Sequence, residues 1–206
     1  MHPGELAVPA DQPEVAVDVD ELIVELGEKL DEWFDKNVST FASEDRAAQS
    51  KGLLAGIEIA KELDRLKAKG LAAIKALLNR HDTVTEDRRI ASLLRGFEFA
   101  TKLAKTLSDE LMDTDGFNKL VLLTNSIVDA LDATGPRRAA LTVLLDHPDD
   151  GIRASAGAYL INLMPDRVVP ILRQIDERHD GSSANFTAHW ALRDWKLKEK
   201  GKQLDK

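Results

Sequence analysis

The stretch LTVLLDHPDDGIRASAGAYLINLMPDRVVPIL, residues 141–172, decides the fold. A first helix, RRAALTVLL, ends in the turn DHPDD; a helix of small residues, GIRASAGAYLINLM, follows, and DRVVPILRQIDE opens the next pair. The turn itself poses the sharpest chemical question in the chain. His147 with Asp146, Asp149 and Asp150 reads either as a metal or catalytic site or as the corner between two helices.

Working outward, the same pairing recurs. RHDGSS (178–183) is a turn leading into ANFTAHWALRDWKLKEK, with Ser182 or Ser183 as its cap. Pro170 is expected in the first turn of its helix, where its missing amide would be unpaired anyway. Upstream, Gly135-Pro136 stops one helix and starts another. A helix over about 116–133 turns Phe117, Leu120, Val121, Ile127 and Leu131 inward, and another carries Ile90, Leu93, Phe97 and Ala100, with Thr83 and Glu86 at cap spacing. Gly70 is placed to end a helix that opens near Ser43 and carries Leu53, Ile57, Ala60, Leu63 and Leu66; a short helix, LAAIKALLN, then begins the pairs. The first helix has Asp18 and Glu21 at capping-box spacing, a stripe of Val19, Leu22, Ile23, Leu26, Leu30 and Trp33, and an end at Asn37. Few segments alternate at period two, so the chain is expected to be all-α.

ALLNRHD (76–82) can be laid over VLLDHPD (143–149), each followed by an arginine and a helix of small residues, a loose repeat. The positions Asp146, Pro148, Asp150, Ile152, Arg153, Ala154, Ala156 and Leu160 resemble a HEAT-type helical repeat. Ala154, Ala156, Gly157 and Ala158 let helices approach closely, and Arg153 is suited to pair with carboxylates of an adjacent turn. Residues 110–200 also resemble a small bacterial family of HEAT-like domains ending in Trp190, Leu192 and Trp195, a family with no established activity. The resemblance implies antiparallel helical hairpins stacked as a right-handed α-solenoid. The organisation expected is a flexible acidic leader (1–17), an N-terminal helical subdomain (18–108) that is a diverged copy of the same unit, a C-terminal HEAT-like domain (109–200) and a basic tail (201–206).

Composition narrows the function. The 206 residues include no cysteine, which removes disulfides, thiolate nucleophiles and cysteine zinc sites and suits a reducing, cytoplasmic setting. The opening residues lack the charged and apolar regions of a secretory signal, and no apolar run approaches a membrane span. The charge of −8 is concentrated: residues 1–35 hold eleven acidic residues against Lys29, a net −10, so the rest of the chain stands at +2. Such a front disfavours nucleic acid and favours a basic protein surface, with Asp20, Glu21, Glu25, Glu28, Asp31, Glu32 and Asp35 as its binding residues. The plainer alternative is a solvated helix face.

His81-Asp82, His147 with Asp149 and Asp150, and His179-Asp180 all follow the first helix of a pair, along one edge. Repeats about 8–10 Å apart rarely converge on an ion that needs ligands at about 2.0–2.2 Å, so no metal is expected and the turn reads as a corner. AHWALRDW places Trp190 and Asp194 one turn apart. The wording is similar to a segment of HEAT-like alkylpurine DNA glycosylases, which implies a nucleic-acid site at Trp190, Arg193, Asp194 and Trp195. A continuous basic groove is missing from the pattern, and Phe186, Trp190 and Trp195 are expected instead to close the core at the last repeat. GLLAGIE lacks the Lys-Ser/Thr pair of a phosphate loop, no Gly-x-Ser-x-Gly elbow occurs, and Glu58 and Glu62 lack the His of a di-iron site. No catalytic residue and no cofactor is expected. The reading is a non-enzymatic protein-interaction module, specifically a bacterial immunity protein neutralising a basic target such as a nuclease toxin. A glycosylase-like DNA binder and a structural homo-oligomer subunit are the alternatives.

Overall fold

A computed structural model describes residues 18–41, 46–79, 85–109, 112–133 and 137–204, with side chains at all of these except 34, 36–41, 46–59, 200 and 202–204. The expectations for the leader, Ser43, His81, Asp82, Thr83 and Gly135-Pro136, and for the side chains of Leu53, Ile57 and Glu58, fall outside these residues. Within them the secondary structure is helical throughout: α1 (Val19–Phe41), α2 (Arg46–Leu78), α3 (Glu86–Asp109), α4 (Thr114–Asp132), a 3₁₀ helix (Arg138–Asp146), α5 (Asp150–Leu160), α6 (Pro165–Asp176) and α7 (Ser183–Leu204).

Helix α3 is the centre of the molecule. It packs against α1, α2, α4, α5, the 3₁₀ helix and α7, while α5, α6 and α7 pack on one another. Its inner row of Leu93, Phe97, Ala100, Leu103, Ala104 and Leu107 is buried, and the buried apolar residues from Ile23 in α1 to Leu192 in α7 form one cluster. The boundary drawn near residue 108 falls between α3 and α4, which pack along each other.

Gly70 does not end a helix. It lies inside the 33-residue α2, buried, and a Cβ placed on it would stand 2.5 Å from Phe99 Cε1 and 2.7 Å from its Cζ. The glycine is there because α3 passes so close that its phenyl ring occupies the space of a side chain. Two other ends also differ. Helix α1 continues past Asn37 to Phe41, and Pro170 lies well inside α6, whose first turn is opened instead by Pro165. RRAALTVLL winds largely as a 3₁₀ helix, so the two segments laid over each other as a repeat differ where they are described: residues 76–78 end a long α-helix, whereas residues 143–146 belong to the tighter 3₁₀ helix.

Caps follow the sequence more closely. Asp18 Oδ1 accepts from Asp20 N at 2.9 Å, and Asp113 Oδ1 from Gly116 N at 2.9 Å. Of the two serines considered for α7, Ser182 is the cap, its Oγ accepting from Asn185 N at 3.2 Å. The preceding turn passes through His179 and Gly181 at positive φ.

Candidate functional site

The acidic turn resolves first. Asp149 caps α5, its Oδ1 accepting from Gly151 N at 2.7 Å and Ile152 N at 3.2 Å, while its Oδ2 meets Lys105 Nζ of α3 at 2.8 Å. Burial works against the charge on Asp149, but Lys105 and the two amides outweigh it and hold the carboxyl below the 3.8 of a free aspartate. His147 Nδ1 accepts from Asp149 N at 3.0 Å, which puts the ring proton on Nε2, 3.3 Å from Glu98 Oε1. Both imidazole nitrogens are therefore engaged within the protein. Asp150 is held by Arg153 of its own helix and by Arg178 of the next turn, so the bridge between turns is made by Arg178 rather than Arg153. The turn is a corner, pinned to α3. Among the described residues no three His, Asp or Glu side chains gather as a metal would require.

Helix α1 separates its acidic residues by face. Ile23, Leu26, Leu30 and Trp33 are buried, which fixes the opposite side outward. Asp20, only 8% exposed, turns towards α3, with Arg95 at 3.7 Å and Arg88 at 3.8 Å; Asp31 reaches Lys102 Nζ at 3.1 Å. These two of the seven expected binding residues join α1 to α3. The other five, Glu21, Glu25, Glu28, Glu32 and Asp35, are exposed or half-exposed and advance by four, three, four and three residues. At 100° per residue they form one stripe about 21 Å long. Within it Lys29 pairs with Glu25 and holds that carboxyl below the usual range.

A groove of about 430 Å³ opens between α3, α4, α5 and α7. Trp190, Asp194 and Trp195 all line it, facing Phe117 of α4 and Tyr159 of α5. Arg193 is not in the lining; its guanidinium lies over the Trp190 ring, 4.7 Å from the centroid. Phe186 meets Trp190 edge-on at 5.8 Å. Tyr159 donates to Asn125 Oδ1 at 2.5 Å, and burial pushes its phenol up to about 12. Phe186 and Trp190 do not close the core as expected, since they are 61% and 41% exposed; Ala184, Ala188 and Leu192 supply the buried row of α7, with Trp195 packed partly against it. Val121, expected inward, also lies at the groove and is exposed.

The groove does not show when every large apolar residue of α7 is assigned to one face. The signal was present: Phe186, Trp190 and Leu197 fall on the side of the helix opposite Ala184, Ala188 and Leu192. No family model, curated protein or solved structure matches the chain.

Proposed function

We propose that the protein is a non-enzymatic, HEAT-like interaction module that holds a partner with a basic surface on the outer face of α1. The observation that carries this reading is the stripe Glu21, Glu25, Glu28, Glu32 and Asp35, five carboxylates on one face of a helix whose opposite face is buried. A stripe of one sign attracts a cationic surface over a distance and orients it before contact. Neutralisation of a basic toxin by an immunity protein, in a reducing cytoplasm that suits a cysteine-free chain, is the specific form we favour. Affinity capture from the native host at moderate salt tests it. One stoichiometric basic protein should co-purify with the wild type and be lost when the five positions become Gln or Asn; its retention by that variant would contradict the reading.

A second reading is favoured by one observation: Trp190, Asp194 and Trp195 share a groove, with Lys198 at its edge. A glycosylase-like DNA binder predicts duplex affinity that falls with salt and an activity lost in Asp194→Asn. Absence of DNA binding at low salt removes it.

A further inference from the structure

We infer that α7 is a self-association element: its outer face and the groove beside it are covered by the same surface of a second copy, with the two α7 helices antiparallel about a two-fold axis. The inference stands apart from the role of α1.

Helix α7 is apolar on two sides. Ala184, Ala188 and Leu192 are buried against α5 and α6, whereas Phe186, Trp190 and Leu197 are exposed by 61%, 41% and 59%. Steps of 100° bring these three within about 40° of one another, on the side away from the core. A helix on the surface of a finished molecule is polar on that side. The patch is also built, since Phe186 and Trp190 pack edge-on and Arg193 lies over the indole. It extends across the groove to Val121. A second cavity, of about 690 Å³, shares Phe117, Ser183 and Phe186 with the first and reaches Met112, which is 86% exposed.

Charge specifies the occupant. The cavity at the start of α7 is bordered by Asp109 and Asp180, while Arg193, Lys196 and Lys198 are exposed towards its end and outnumber Asp194 and Glu199 there. The order suits the dipole of α7 itself, and it also makes the surface self-complementary. An antiparallel second copy sets each basic end against an acidic end, twice, as a two-fold interface requires. A partner of a single charge sign would match one end and be repelled at the other. Met112, Val121, Phe186, Trp190 and Leu197, at about 100 Å² each, offer about 500 Å² of apolar surface, a proportion typical of the about 800 Å² each partner contributes to a standard interface.

Light scattering with size separation tests the inference. The wild type should have twice the chain mass of 22.7 kDa at tens of micromolar. Phe186→Ser with Trp190→Ser should give a monomer of unchanged helicity, both residues being exposed. Lys196→Glu with Lys198→Glu, and separately Asp180→Lys, should each weaken the dimer about tenfold, and mixing the two variants should restore it because both ends are again opposed in sign. A wild type that stays monomeric to about 100 μM overturns the proposal. So does a dimer that survives the serine pair, or a mixture no tighter than its components.

Discussion

Asp149 shows how much one side chain can fix. It caps α5 with two amide contacts and ties the corner to α3 through Lys105, so Asp149→Ala removes a cap and strands a half-buried ammonium. We expect a loss of about 1–2 kcal/mol in urea unfolding at neutral pH. The sign with pH follows from the lowered folded pKa. The contribution is complete above the free-aspartate value of 3.8 and disappears as pH falls through the lower folded value. The gap between wild type and Asp149→Ala should therefore close on acidification below about pH 4 and stay constant above about pH 5. Thr101 supplies the opposite case. Ser92, Thr106 and Thr124 donate to the carbonyls of Arg88, Lys102 and Leu120, but the Thr101 hydroxyl is buried with no hydrogen-bond partner among the described residues. Thr101→Val, of the same shape, should stabilise by about 1 kcal/mol, measured by urea unfolding.

At the scale of elements, two glycines separate propensity from packing. Among the described residues, Gly27 in α1 has nothing within 4 Å of the position a Cβ would take, so Gly27→Ala should stabilise by about 0.5–1 kcal/mol through helix propensity alone. Gly70→Ala gains the same propensity but drives a methyl group into the buried Phe99 ring, an overpacking cost of about 1–3 kcal/mol, and should be destabilising overall. Thermal melts of the two variants should shift in opposite directions. Gly70 also shows what was legible and what was not. The apolar rows of α1 and α3, the cap at Asp18 and a cap at Ser182 or Ser183 could be read directly, because each depends on spacing within one helix. Whether Gly70 ends a helix or admits a neighbouring one depends on where Phe99 lies, 29 positions away, and no local pattern encodes that. The groove is a different case, since the phase of Phe186 and Trp190 against Ala184, Ala188 and Leu192 can be read within α7 itself. Trp190 and Trp195 are adjacent in pattern, yet one faces outward and the other leans on the core.

At the scale of the whole molecule, α3 makes the N- and C-terminal parts share one set of buried residues. Urea unfolding should accordingly be a single transition, with far-ultraviolet circular dichroism and tryptophan fluorescence superimposing, because Trp33 in α1 and Trp195 in α7 report from opposite ends of the same core. Separate transitions for the two probes would mean two independent cores. The charge distribution is also a property of the whole. Arg88, Arg95 and Lys102 of α3 are drawn to Asp20 and Asp31, and the stripe from Glu21 to Asp35 is left to face outward. The most direct test of its purpose is the association rate with the captured partner, measured by stopped flow across ionic strength. We expect the wild-type rate to fall about tenfold or more between low and physiological salt, and the five-fold Gln/Asn variant to start slow and vary little. Equal rates and equal salt dependence for the two proteins would show that the outer face of α1 does not recognise the partner.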